Sequence, residues 1–166
     1  MEEVLLSLGS NMGERAANLR SAVAMIGERA GTVTAVSAVY ETEPWGFSAD
    51  SSFYNIAVAV LTSLEPAAFL AEILAVEAAL GRVRDSGAEG YESRPIDIDI
   101  LFFGDRVIDT SGLVIPHPRL HERRFVLVPL NEIAPERVHP LSGKRVLTLL
   151  EECGDDSGVQ RTICNV

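Results

Sequence analysis

Along the chain, the spacing of apolar positions switches between the two-residue repeat of strands and the longer repeat of helices. Residues 4–11 (VLLSLGSN) form an apolar run that ends in turn-forming residues, and predict a first strand. Over residues 14–31 the apolar positions move to helical spacing. Leu19, Ala22, Val23 and Ile26 make the stripe and Gly31 is a natural C-cap. Residues 32–42 and 53–63 are rich in β-branched side chains and predict two further strands. Residues 65–82 return to helical spacing. Pro66 sits in the first turn, Phe69, Ile73, Val76 and Leu80 make the stripe, and Gly81 ends it. A fourth strand runs over 95–103, followed by a tight turn at 104–106 and a short strand at 107–109. A loop rich in Pro, His and Arg precedes a short helix over 125–135, interrupted or bent by Pro129. A last short helix covers 146–153.

The resulting order is β-α-β-β-α-β with a C-terminal extension. That is the order of a ferredoxin-like α+β sandwich, an antiparallel sheet with two helices on one face. The extra C-terminal elements then wall the other face and make a pocket there. With 166 residues, one domain spanning 1–166 with its own core is expected. No apolar run is long enough to span a bilayer, and the N-terminus is acidic where a secretory signal is basic, so a cytoplasmic protein is expected.

Charge narrows the partners. A formal net charge of −10 argues against general nucleic-acid binding, which needs a broad basic surface. Cys153 and Cys164 form no CxxC or Cys/His pattern and read as reduced thiols rather than zinc ligands or nucleophiles. The arginines are uneven. No Lys or Arg lies between Gly31 and Gly81; then come Arg82, Arg84 and Arg94, and later Arg119, Arg123 and Arg124. Each alone reads as solvated charge. Together they suggest a local anion site.

The segment "RPIDIDILFF" (residues 94–103) sharpens this. Strict alternation puts Ile96, Ile98, Ile100 and Phe102 on one face, and Asp97, Asp99, Leu101 and Phe103 on the other. Two carboxylates roughly 6–7 Å apart at Cα repel each other. A shared proton, basic partners or a hard divalent cation relieves them. The packed opposite face and the apolar continuation through Leu101 and Phe103 favour the cation. Arginines and "HPRLHERR" complete what a metal–polyphosphate complex needs. No P-loop motif is present, and Lys144 is the only lysine, so a nucleotide is not held in the P-loop manner. Separately, "YETEPWGF" and "FYN" combine aromatic rings with Asn55, and Phe125 adds a ring. Such a set suits a flat heteroaromatic ligand, or serves as core and lid packing.

The motifs "SLGSNMG", "YETEPWG", "FYNIAVAV", "ALGRVR", "RPIDIDILFFG" and "IPHPRLHERRFVLVPLNEIAP", in this order, resemble the 6-hydroxymethyl-7,8-dihydropterin pyrophosphokinase family over essentially the whole chain. The resemblance implies transfer of the terminal pyrophosphate of ATP to the pterin hydroxymethyl group, releasing AMP, in folate biosynthesis. It implies that Asp97 and Asp99 hold two Mg²⁺ ions. Arg82, Arg84 and Arg94 then act on the transferring phosphates. Glu77, Ile100, His117 and Arg123 complete the nucleotide side. Thr42, Pro44, Trp45, Phe53, Asn55 and Phe125 form the pterin pocket. A monomer that binds ATP and a pterin, and neither nucleic acid nor membrane, is expected. The loops at 45–51 and 84–93 are expected to close over the substrates. The chain departs from the family at Gly90 and Tyr91, before the Asp pair, and at Glu43, Phe53, Leu74, Gly112 and Val114. Two rivals remain: a two-metal hydrolase, which uses the same acidic pair and has no need of the aromatic pocket, and a non-enzymatic ferredoxin-like module that binds a divalent cation or a protein partner.

Overall fold

The structure, a computed structural model, describes residues 1–42, 52–81 and 95–166. Pro44, Trp45, Arg82, Arg84 and Arg94, and the expected closing loops at 45–51 and 84–93, lie outside the described residues. In chain order the elements are β1 (Glu2–Ser10), α1 (Arg15–Arg29), β2 (Thr32–Val36), β3 (Tyr40–Thr42), β4 (Phe53–Thr62) and α2 (Pro66–Ala79). They continue with β5 (Asp97–Phe103), β6 (Ile108–Asp109), β7 (Val114–Ile115), a 3-10 turn (Leu120–Glu122), α3 (Arg124–Ile133), α4 (Val146–Glu152) and β8 (Val159–Arg161). This is a mixed α/β fold, with an antiparallel main sheet ordered β5-β1-β4-β3-β8 and four α-helices among the described residues. β2 joins the same sheet on β4, and β6 and β7 form a separate hairpin.

Alternation along β1 and β4 divides the core into two layers. Val4, Leu6 and Leu8, with Ile56, Val58 and Val60, face α1 and α2 and pack on Leu19, Ile26, Phe69, Ile73 and Val76. Leu5, Ala57 and Ala59 face the other way, against Leu127, Leu130 and Val146 of α3 and α4. The C-terminal helices thus cover part of the second face, as the sequence suggested. Each fully buried large side chain in these layers contributes about 1.5–3 kcal/mol from burial. The residues that α1 and α2 turn to this face are those of their apolar stripes. Glu132 of α3 ties the second layer to the sheet, accepting hydrogen bonds from Ala38 N (3.0 Å) and the Tyr40 hydroxyl (2.7 Å).

Four sequence expectations are corrected. The strand expected over 32–42 is two strands, because at Ser37 the ladder ends: its N donates to the Ala57 carbonyl, but its hydroxyl rather than its carbonyl accepts from Ala57 N, at 2.9 Å. Pro129 does not interrupt its helix; α3 runs unbroken through it. The C-terminal extension adds strand β8, which pairs with β3. Lastly, the faces expected for Phe102 and Phe103 are exchanged. A register shift between Leu5 and Leu6 leaves Leu101 as an extra residue on β5. Beyond this bulge the phase inverts. Phe102 joins Leu101 in the α3/α4 layer, and Phe103 turns to the α1/α2 layer, edge-on to Phe69 at 5.6 Å between centroids.

Candidate active site

The site is built on the face that α3 and α4 only partly cover. Directly paired residues of an antiparallel sheet point to the same side. Asp97 pairs with Gly9, Gly9 with Asn55, and Asn55 with Tyr40. These four therefore form one row across β5, β1, β4 and β3. In the next row Asp99 pairs with Ser7, and Ser7 with Ala57. Strands lie about 4.8 Å apart, so the Asp97 and Asn55 backbones are separated by roughly 10 Å, with only Gly9 between them. The acidic pair and the amide, remote in sequence, share one floor lined by small residues.

On the β4 side, Asn55 is buried at 3% exposure and donates its amide N–H to the Thr42 hydroxyl at 2.9 Å. Phe53 lies on the same face, two residues along the strand. On the β5 side Asp97 and Asp99 are half-buried. Ile100 points away from them, into the α1/α2 core. Glu77 of α2 is buried, and its carboxylate accepts from Ile98 N at 2.8 Å. That bond caps the outer edge of β5 between the two aspartates.

The loop after β7 brings in the third group. His117 N donates to the Leu101 carbonyl at 3.0 Å, which ties this loop to the end of β5. His117 Nδ1 accepts from Arg119 N at 3.1 Å, so its Nε2 carries the proton and is available as a donor. Burial pushes the imidazole pKa down to about 4. The Arg123 guanidinium adds to that shift, and the Asp97 carboxylate opposes it. His117 is therefore a neutral donor at neutral pH, set among Asp97, Arg123 and Arg119. Arg123 in turn lies 5.8 Å over the Phe125 ring at the start of α3.

Among the described residues no three His, Cys, Asp or Glu side chains converge as a closed metal cage. Two half-buried carboxylates on one face instead fit magnesium, which takes few protein carboxylates and fills its octahedron with water and phosphate oxygens. The donor set suits a metal–nucleotide complex better than a resident structural ion.

The sequence reading missed two residues. Gly9 forms the floor between the two halves. Its place on the Asn55 face follows from alternation, but the pairing that puts Asp97 on its other side does not. Arg15, at the start of α1, donates to the Ser52 carbonyl (2.8 Å) and hydroxyl (3.0 Å), lies 3.6 Å from the Glu41 carboxylate and stacks 3.8 Å over the Tyr54 ring. It fastens the ends of β3 and β4 together beside the Thr42–Asn55 pair.

Residues 5–135 match the family model described as 7,8-dihydro-6-hydroxymethylpterin-pyrophosphokinase (HPPK). The chain is 44% identical over 132 residues to the 2-amino-4-hydroxy-6-hydroxymethyldihydropteridine pyrophosphokinase of Bacillus subtilis, covering 79% of this chain and 77% of that one. It is 43% identical over 162 residues to the protein of the same name from Methylorubrum extorquens, covering 97% and 99%. It is also 39% identical over 156 residues to the folic acid synthesis protein fol1 of Pneumocystis carinii; this takes in 93% of the chain but only 20% of that much longer protein. Among solved structures, wild-type HPPK-DHPS of Plasmodium falciparum superposes with a TM-score of 0.71 at 18% identity, over 92% of this chain and 43% of that one. At that identity the likeness is one of fold.

Proposed function

This chain belongs to the 7,8-dihydro-6-hydroxymethylpterin-pyrophosphokinase family, and we propose that the residues gathered on the open face of its sheet carry that family's reaction. The reaction moves pyrophosphate from ATP to the hydroxymethyl group of 6-hydroxymethyl-7,8-dihydropterin in folate synthesis. The acceptor hydroxyl oxygen bonds to the β-phosphorus, the bond from that phosphorus to the α–β bridging oxygen breaks, and AMP leaves with the bridging oxygen. The hydroxyl proton passes to a phosphate oxygen or to water.

Asp97 and Asp99 hold magnesium, two ions in our reading, with ATP as co-substrate. Magnesium bound there neutralises charge on the phosphate oxygens. His117 donates its Nε2–H to a phosphate oxygen, and Arg123 adds positive charge. The Ile100 backbone shares the outward direction of Ile98 on the edge of β5 by the two-residue repeat of a strand, so Ile100 meets the nucleotide through its peptide group, not its side chain. Arg82, Arg84 and Arg94 are assigned to the transferring phosphates, and Pro44 and Trp45 to the pterin pocket, on sequence alone. Thr42 and Asn55 read the polar edge of the pterin, with Phe53 and Phe125 against its rings. Holding both reactants on one floor contributes several kcal/mol of the rate enhancement.

The strand order β5-β1-β4-β3, with α1 and α2 on one face, supports a ferredoxin-like centre. The two core layers share one sheet, which supports a single domain over 1–166. A cytoplasmic monomer that binds no membrane is proposed, and the acidic composition argues against nucleic-acid binding. No helix among the described residues is long and apolar enough to cross a membrane.

The observation that carries this reading is the row Asp97–Gly9–Asn55. It sets a phosphate-side acid and an acceptor-side amide about two strand spacings apart on one face. Incubation with Mg-ATP and the hydroxymethyl dihydropterin tests it. AMP formed only when pterin is present, and lost in Asp97→Asn, is expected. Phosphate release without pterin would point to the hydrolase instead.

A further inference from the structure

The floor between the two halves of the site is set by one missing side chain. Gly9 has no positive φ and sits in a regular part of β1, so its backbone does not require glycine. Space does. A Cβ built on Gly9 would lie 2.9 Å from Asn55 Oδ1 and 3.6 Å from Phe53 Cδ1, with the Tyr54 carbonyl oxygen next at 3.9 Å. Only the first of these is tighter than ordinary contact. Asn55 has little freedom to yield: it is buried, and its amide nitrogen is engaged by Thr42 at 2.9 Å. A methyl group at position 9 therefore turns the Asn55 amide out of its place or breaks its bond to Thr42. The same methyl would stand on the line from Asp97 to Asn55, where the reacting phosphorus and the acceptor oxygen must approach to roughly 3–3.5 Å.

We propose that Gly9 is a positioning residue for the acceptor. Its absent side chain fixes the Asn55 amide orientation and keeps open the passage between the aspartate pair and the pterin pocket. The inference rests on the pyrophosphokinase reading of the site and adds to it a residue that touches neither metal nor nucleotide. The cost of a larger residue thus falls on one substrate only.

Gly9→Ala is the test, read by steady-state kinetics in both substrates and by equilibrium binding of α,β-methylene-ATP with Mg²⁺. A KM for the hydroxymethyl dihydropterin raised at least tenfold, or a kcat reduced as much, is expected while affinity for the ATP analogue stays within about twofold. In an Asn55→Ala background the same change should cost less than it does in the wild type, because the atom it strikes is gone and only the narrowed passage remains. Should Gly9→Ala fail to fold, the Gly9→Ala/Asn55→Ala protein must fold. Unchanged pterin kinetics in Gly9→Ala, a comparable loss of affinity for the ATP analogue, or a double variant that also fails to fold would each overturn the proposal. Absence of pterin-dependent AMP formation by the unaltered protein would instead overturn the functional reading beneath it.

Discussion

The buried carboxylate of Glu77 accepts a 2.8 Å hydrogen bond from the backbone N–H of Ile98, the residue between Asp97 and Asp99. Among the described residues β5 is the outer strand of the sheet, and this N–H points away from β1, where none of them adds a further strand. Helix α2 supplies the acceptor that a further strand would otherwise give. Leaving a buried N–H without an acceptor costs about 1–3 kcal/mol. Glu77→Ala should therefore lower stability by about that amount and loosen the aspartate pair, raising the Mg²⁺ concentration for half-maximal AMP formation. Glu77→Gln keeps an acceptor oxygen and should preserve most of both. Urea melts and magnesium titrations of the three proteins check this; an unshifted magnesium curve in Glu77→Ala would confine Glu77 to a purely structural role.

Local pattern carried the sequence reading as far as single elements reach. The stripe of Phe69, Ile73 and Val76 is where helical spacing puts it, and Asp97, Ile98, Asp99 and Ile100 alternate as expected. Alternation fails at Leu101, because a bulge is a property of two strands. Nothing within "DIDILFF" says that β1 is one residue short opposite it. β8 is three residues long, two of them polar, too short for any period to declare it, and it pairs with the edge that β3 offers. The site divides the same way. Its chemistry-bearing residues stand out by type, whereas Gly9 and Arg15 matter through what lies beside them in space. Only the pairing of β1 with both β5 and β4 reveals that.

Arg15 holds the ends of β3 and β4 through Ser52, Glu41 and Tyr54 at once. The planar guanidinium stacks on the ring while its N–H groups reach the Ser52 oxygens, a combination that a lysine ammonium does not reproduce. Thr42 and Asn55 lie directly beyond this clasp. Arg15→Ala and Arg15→Lys should both raise the KM for the pterin severalfold with little change in the KM for ATP. Two-substrate kinetics decide the matter, and an equal rise in both constants would count against the clasp.

The Tyr40 hydroxyl donates to Glu132 at 2.7 Å. Burial first, then that bond and the carboxylate charge, push its pKa up to about 12. Tyr40 should therefore ionise late, and burial raises Tyr54 as well. Between the ordinary value near 10 and about 12 the unfolded chain releases the Tyr40 proton and the folded chain keeps it, so stability falls as pH rises through that window. Absorbance titration of the wild type against Tyr40→Phe should lose one late-ionising component in the variant and keep that of Tyr54.

His117 reverses the direction. Its imidazole titrates at about 4 in the folded protein, held down by burial and then by the Arg123 charge, against an ordinary value of 6.5 when unfolded. Between those values the unfolded chain binds a proton that the folded chain refuses. Stability is therefore full above the unfolded value and declines as pH falls from about 6.5 towards 4, by up to about 1.4 kcal/mol per pH unit from this one group. Replacing it by Gln removes the titration. Denaturant melts at intervals from pH 7 to about pH 4 should thus show a shallower acid-side slope for His117→Gln than for the wild type. Activity adds a second readout. A neutral donor keeps its Nε2–H throughout this range, so loss of the side chain should weaken ATP binding by a similar factor at pH 6 and pH 8. A loss confined to the acid side would instead mean that His117 binds phosphate as a cation.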